Sequence, residues 1–313
     1  MEYKLINKEI TQDLSLSTIE KILLTRGIKK EDISHYLNVD KNDNLSPFLV
    51  QNIHQGVKMI IEHLKRGKIY VQVDSDCDGY TSAAVLINYL HDLLPRVVEN
   101  NVVYGFHDGK KHGLNLSLIP KDVTLVIAPD SSSNDYDEHK YLTEHGIDVL
   151  VIDHHMADYI SPYACVINNQ LSDYPTKSLS GVGMVYKVCQ YMDNIWHLNR
   201  ADHYLDLVAL GLVADMMDQR DFETSYLIKT GLNNIQSPWF EQMIEDNQFS
   251  LKTKNITPIQ AGFYIAPCIN AITRMGKENE KEVLFESLLE WKAGEEILST
   301  KRGCKGQYET IVT

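Results

Sequence analysis

IYVQVDSDCDG (Ile69–Gly79) runs without a break from β-branched and aromatic residues into three aspartates and a glycine. A short apolar run closed by polar turn residues reads as a buried strand. The stretch that follows is helical in texture, so the aspartates fall on the turn between a strand and a helix. The first run extends over Lys68–Val73, and Val102–Phe106, Val123–Ala128, Val149–Ile152 and Cys165–Ile167 repeat the pattern. Strands alternating with helices predict an α/β fold with a parallel five-stranded sheet flanked by helices.

On either side of this core the chain reads as helical. LSTIEKILLTRG and SPFLVQNIHQGVKMIIEHLKRG place apolar residues at three- and four-residue spacing. Ser46 and Pro47 give the second of these a cap and a first-turn proline. The expected organisation is a helical N-terminal region over 1–66, an α/β core over 67–220 and a helical C-terminal region over 221–313. The tail, STKRGCKGQYETIVT, carries no clear period.

In an open parallel sheet, ligands bind outside the carboxyl ends of the strands. Three of the runs end in acidic groups: Asp74-Ser75-Asp76-Cys77-Asp78, then Asp130, then Asp153-His154-His155. So many carboxylates at one sheet edge would raise one another's pKa unless cations neutralised them. Imidazole among carboxylates points to Mn²⁺ or a similar first-row ion, with Mg²⁺ as the other candidate. A further carboxylate comes from YLDLVALGLVAD, where the stripe of Leu205, Val208 and Leu212 reaches Asp215 three residues on. Each cluster alone has an ordinary alternative: a helix cap, a surface turn, a solvated helix end. A calcium loop is excluded, because Val85 stands where the bidentate glutamate would be.

Composition sets limits on these readings. Five scattered cysteines with no Cys-x-x-Cys pair argue against a disulfide framework and a structural zinc site. No run approaches the roughly 18 apolar residues of a membrane helix, and MEYKLINKEITQDLS lacks the pattern of a secretory signal, so a cytoplasmic location and no membrane contact are expected. A net charge of −13 disfavours tight binding to long duplex.

DSDCDG, Asp130, Asp-His-His and LGLVAD resemble, in order, the four signature motifs of the DHH phosphoesterases. SPFLVQNIHQGVKMI, HGLNLSLIP, VINNQ, TKSLSGVGMVYKV and APCINAITRMG are similar to segments of the RecJ-like branch, and the resemblance runs from Pro47 to Leu289. It implies that Asp76, Asp78, Asp130, His154 and Asp215 ligate two divalent cations, Mn²⁺ preferred and Mg²⁺ admitted, with Asp130 between them. Asp74 would ligate or orient. Asp153 would hold a histidine ring, and His155 would face the scissile phosphate. Ser180, Gly181 and Gly183 would offer backbone N–H groups to phosphate, and Asn270 and Arg274 would contact it.

The implied activity is phosphodiester hydrolysis, as 5′→3′ exonucleolysis of single-stranded DNA. The alternatives are a phosphodiesterase for short oligonucleotides or cyclic dinucleotides, and an inactive scaffold on the same fold. Three departures from the family pattern stand out. Asp130 is followed by three serines instead of Asn-Gly, Cys268 occupies a position that is usually arginine, and no Gly-Gly pair marks a second, substrate-binding domain. That domain is expected to be missing or truncated, its role supplied by a protein partner or by self-association.

Overall fold

A computed structural model of the chain describes residues 7–252, 256–299, 304 and 306–312. The first six residues of the expected N-terminal region and parts of the tail lie outside these. The predicted sheet is present. It consists of β1 (Ile69–Val73), β2 (Val102–Phe106), β3 (Leu125–Pro129), β4 (Asp148–Asp153) and β5 (Cys165–Asn168), in the order β2-β1-β3-β4-β5. Every neighbouring pair is parallel.

The strands read as continuous apolar runs because helices cover both faces. With a side-chain period of two, Ile69, Val71 and Val73 enter the larger core, while Tyr70 joins Val126, Val149 and Val151 on the other face. The larger core is filled by α1 (Ile53–Arg66), α2 (Cys77–Leu93), α3 (Gly181–Trp196) and α4 (Leu205–Ala214). In α2 every residue from Cys77 to Leu90 is buried, as befits a helix packed on all sides. Truncating one of its fully enclosed side chains, such as Leu86, would cost about 2–5 kcal/mol.

After β1 the chain moves outward to β2, then returns past β1 to form β3 on its other side. The winding therefore reverses between β1 and β3, and their carboxyl ends open a crevice at that switch point. Asp74 and Asp130 are the first residues beyond those two strands.

Two expectations are corrected. Ser46 caps only the short turn Pro47–Leu49, and α1 begins later, at Ile53. The break lies at Asn52, whose φ of 62° is incompatible with a right-handed helix. In the tail, β6 (Glu296–Leu298) and β7 (Tyr308–Thr310) pair antiparallel. Three residues per strand are too few to register as a period in the sequence.

Candidate metal centre

Asp76 caps α2, its Oδ1 accepting the Gly79 N–H at 3.0 Å. Asp78, the second residue of the same helix, is buried and points toward the start of α3. There its carboxylate accepts the Ser180 hydroxyl at 2.8 Å, the Gly181 N–H at 2.7 Å and the Val182 N–H at 3.3 Å. An anion at a helix N-terminus is well placed, because free N–H groups and the helix dipole both favour it. This changes what the sequence led us to expect of the Ser180–Gly183 turn. Its Ser180 and Gly181 donors hold a carboxylate of the centre, while Gly183 sits within the buried helix, where an added Cβ would lie 3.0 Å from Leu179.

Asp130 follows β3 with a left-handed φ of 64°. Its Oδ1 lies 3.2 Å from Nε2 of His154. Asp215 is the residue immediately past α4, one third exposed, and its Oδ2 lies 3.4 Å from the same nitrogen. Asp78 Oδ2 is 4.0 Å from it. Asp78, His154 and Asp215 thus form one ligand-type group, and Asp74, Asp76 and Asp130 a second, with all donor atoms in each group within 4.8 Å of one another. A third grouping of Asp130, Asp153, His154 and His155 meets the same limit.

Three glycines make this crowding possible. A Cβ at Gly181 would lie 2.3 Å from the Asp130 side chain, one at Gly79 would lie 2.6 Å from that of Asp74, and one at Gly211 would lie 2.5 Å from Oδ1 of Asp78. The carboxylates of Asp130 and Asp78, and the backbone and Cβ of Asp74, approach helix backbone at distances that only glycine allows.

The electrostatics follow from this packing. Burial, together with Asp78 and Asp76, pushes the Asp130 carboxyl well above its usual range. Burial and the same two aspartates bring Asp215 up to about 7. Burial pushes the His154 imidazole down, toward the neutral form that ligates metals. Oδ1 of Asp130 and Oδ1 of Asp74 are buried without a hydrogen-bond donor. Buried carboxylate oxygens with no donor, set among other carboxylates and a neutral imidazole, are the donor set a divalent cation requires. The residues therefore fit a bound metal.

Asp153 behaves differently. Burial pushes it up, but the hydrogen bond from His155, the charge of that ring and the Ser133 side chain outweigh this and bring it down to about 2. Its Oδ1 meets Nδ1 of His155 at 2.7 Å and also accepts the His154 N–H. The ring it holds is that of His155, whose pKa that bond raises to about 9. The remaining edge of His155 is half-exposed beside the centre.

The two residues expected at the phosphate, Asn270 and Arg274, both line a small cavity with Asp76, Asp78 and Asp215. Asn270 accepts the Cys77 N–H at 2.9 Å and thereby fixes the turn before α2. It lies on α5 (Ala266–Met275), which is tied down a second time where the Thr273 hydroxyl donates to the Ser75 carbonyl. Arg274, on the same helix, lines a small cavity with Asp76, Asp78 and Asp215, and its guanidinium makes no ion pair among the described residues.

The sequence reading missed His112. This residue meets Asp74 Oδ2 through Nδ1 at 2.6 Å, and that bond raises its pKa. Buried His107 lies behind it, Nε2 3.9 Å from Asp74 Oδ1. The one available signal was that HGLNLSLIP, in a loop between two strands, begins with a histidine.

Residues 68–212 match the DHH family, N-terminal domain. YorK of Bacillus subtilis, an SPbeta prophage-derived protein named as a single-strand DNA-specific exonuclease, is 40% identical over 306 residues, 97% of this chain and 51% of that protein. The single-stranded-DNA-specific exonuclease RecJ of Haemophilus influenzae is 29% identical over 276 residues, 81% of this chain and 47% of that protein. The chain spans about half the length of these relatives. Among solved structures, exonuclease RecJ bound to manganese superposes with a TM-score of 0.66 at 23% identity, covering 78% of this chain and 62% of that one. RecJ from Thermus thermophilus in complex with Mn²⁺ gives 0.65 at 23% identity, over 90% of this chain and 40% of that one. At such identities the superpositions establish the fold. With the family match spanning the first three motifs and the start of the fourth, and the same fold in both solved RecJ structures, the chain carries a DHH-family N-terminal domain match over residues 68–212 and is homologous to the RecJ-like single-strand-specific exonucleases.

Proposed function

We propose that this chain hydrolyses phosphodiesters of single-stranded DNA, removing nucleotides from the 5′ end, with two divalent cations held by Asp76, Asp78, Asp130, His154 and Asp215. The observation that carries the reading is the meeting of four distant stretches of sequence around one imidazole nitrogen, where Asp130, Asp215 and Asp78 oxygens lie 3.2, 3.4 and 4.0 Å from His154 Nε2. The names of the relatives favour single-stranded DNA as the substrate. RecJ structures in complex with manganese and with magnesium favour those two ions, Mn²⁺ first.

Such cations, when bound, supply an activated water and neutralise charge on the phosphoryl oxygens. The protein's own groups do the rest. Asp130 belongs to the group with Asp74 and Asp76, and its Oδ1 also lies 3.2 Å from His154 Nε2 of the other group, so it is the residue suited to join two ions. Asp74 completes the second group and orients it through His112. His155, its Nδ1 tied to Asp153, presents its other edge toward the phosphate. Arg274 brings a fixed positive charge beside Asp76 and Asp215, with a planar fork suited to phosphate oxygens. Asn270 acts one step back by fixing the turn that carries Asp76 and Asp78.

The test is Mn²⁺-dependent digestion of 5′-labelled single-stranded oligonucleotides, beside Asp130→Ala. Removal of a residue that serves both ions is expected to lower the rate at least about a hundredfold, the scale on which metal-site lesions act. Equal activity in the two proteins would refute the proposal. Labels at the 5′ and 3′ ends, compared over time, decide the direction of digestion. Cleavage confined to two- to five-mers would restrict the substrate class.

A further inference from the structure

Three methionines among the described residues stand out in water, Met156 at 71%, Met216 at 87% and Met275 at 84% exposed. Each directly follows a residue of the centre or its margin: His155, Asp215 and Arg274. Consecutive Cα atoms lie about 3.8 Å apart, so chain geometry alone keeps all three near the centre. They arrive from different elements, beyond β4, beyond α4 and at the last position of α5. Met184 and Met192 are fully buried, and Met59, Met217 and Met243 pack against the core.

The backbone under each exposed methionine is tied down. The Asn134 amide donates to the Met156 carbonyl at 2.9 Å. The Met216 N–H donates to the Val213 carbonyl at 3.1 Å, and the Met217 N–H to that of Leu212 at 3.0 Å, which closes the end of α4. Met216 there takes a φ of 55°, in a place where helix ends ordinarily carry glycine. The Gly276 N–H donates to the Ile272 carbonyl at 2.8 Å and fixes the end of α5 under Met275. The side chains alone are left free.

Exposure decides which thioethers are oxidised. The sulfur lone pair attacks one oxygen of hydrogen peroxide, an S–O bond forms as the O–O bond breaks, and the departing hydroxide takes up a proton as water. The sulfur is oxidised by two electrons, and the product is a polar, chiral sulfoxide where a flexible apolar group had been. Reduction by a dithiol returns the thioether, with a disulfide and water as the other products. Thioethers also make soft contacts with aromatic rings, and sulfoxides make them poorly.

We propose that Met156, Met216 and Met275 form a site of reversible oxidation by hydrogen peroxide, which turns the margin of the metal centre polar and weakens its hold on single-stranded DNA. The oxidation follows from exposure alone. Its effect on DNA rests on the function proposed above, under which the rings meeting these thioethers are bases.

The experiment treats the full chain, loaded with Mg²⁺ so that the ion takes no part in redox chemistry, with hydrogen peroxide. Peptide mass spectrometry is expected to find the three exposed methionines oxidised at least about tenfold faster than Met184 and Met192. After removal of peroxide, the KM for oligothymidylate with Mn²⁺ is expected to rise about fivefold, the worth of one or two thioether–ring contacts, with little change in kcat. Methionine sulfoxide reductases A and B should restore it, and dithiothreitol alone should not. The variant carrying Met156→Leu, Met216→Leu and Met275→Leu, compared with its own untreated form, should not respond to peroxide.

Oxidation spread evenly over buried and exposed methionines overturns the assignment, as does an unchanged KM after all three are oxidised. Recovery with dithiothreitol alone would trace the loss to the exposed thiol of Cys268 and overturn it equally. So would an equal loss in the triple leucine variant. If the parent protein hydrolyses no oligothymidylate, the function proposed above fails. Fluorescence anisotropy of labelled oligothymidylate then replaces KM, and absence of binding, or binding unaffected by oxidation, overturns the link to DNA. The mass spectrometry and the reductase repair use the parent protein, so the test stands whether or not the triple variant folds.

Discussion

Asp215→Asn is expected to stabilise the metal-free protein at alkaline pH while removing its activity. In the folded chain, burial and the charges of Asp78 and Asp76 raise the Asp215 carboxyl from its ordinary 3.8 to about 7. A carboxyl whose pKa is higher folded than unfolded opposes folding once the unfolded chain ionises. The penalty is absent below about pH 4, grows as the pH rises, and is complete above about pH 7. At 1.36 kcal/mol per unit, a rise of about three units caps the penalty near 4 kcal/mol. The side chain is one third exposed, and solvent screening reduces this to about 1–2 kcal/mol. The asparagine variant escapes the penalty. Urea unfolding in the presence of chelator should therefore show it about 1–2 kcal/mol more stable than the parent at pH 8 and nearly equal to it at pH 4. Adding Mn²⁺ should reverse the order, since a ligand at a hundred times its Kd stabilises the parent by about 2.7 kcal/mol and the variant, one ligand short, by less. A variant less stable than the parent at pH 8 without metal, or one that gains as much from Mn²⁺, would refute the placement of Asp215 among the carboxylates.

Gly181→Ala places a Cβ 2.3 Å from the Asp130 side chain. Ordinary contact requires Asp130 to move by about 1 Å, a displacement that commonly costs about a hundredfold in rate. Steady-state hydrolysis with Mn²⁺ checks this, and Gly294→Ala, which meets nothing within 4 Å, is the control. Asp153→Asn removes a carboxyl whose folded value, about 2, lies below its ordinary 3.8. That carboxyl contributes stability above about pH 4 and loses it as the pH falls through about 2. The variant should therefore be less stable by about 2 kcal/mol at pH 7 and nearly unchanged at pH 2, which acid and urea unfolding would measure. Asn270→Ala leaves the Cys77 N–H without its partner and loosens the turn that bears Asp76 and Asp78. It should weaken Mn²⁺ binding about tenfold or more by calorimetry, and an unchanged affinity would assign Asn270 to substrate instead.

Much of the scaffold could be read from the chain because its signals are local. β1, β3 and β4 are apolar runs buried along almost their whole length, and each bears its acidic residues where the run stops. Asp215 was reached by helical spacing alone, and the helix does end immediately before it. What escaped the reading depends on contacts across long sequence separations. Nothing near Asn270 announces that it will bond to the turn at Cys77, 193 residues away. The Ser180 turn was read as an anion site, and it is one, but the anion is Asp78 from the neighbouring helix. His112 went unnoticed because its role depends on how the connection from β2 to β3 folds back over Asp74. The late start of α1 was hidden for a smaller reason, since asparagine adopts left-handed backbone without any mark in the hydrophobic pattern.

The acidity of the chain and the architecture of its centre bear on each other. A surface carrying net charge −13 repels a polyanion, and the crevice between β1 and β3, where the proposed function would bring a phosphate, adds further carboxylates. Of the positive side chains near that crevice, Arg274 alone lines the small cavity with Asp76, Asp78 and Asp215. Under the proposed function, attraction for a phosphodiester would come from Arg274, from His155 and from cations bound by the carboxylates themselves. The same ions would offset the burial and the mutual repulsion that push Asp130 and Asp215 upward. Metal loading and substrate binding are then two aspects of one electrostatic balance, and a residue that disturbs either, such as Gly181 or Asp78, disturbs both. The glycines where the helices meet the ligands fit the same picture: without a Cβ at Gly181, the Asp78 carboxylate approaches the helix N–H groups closely enough to be held in place by them.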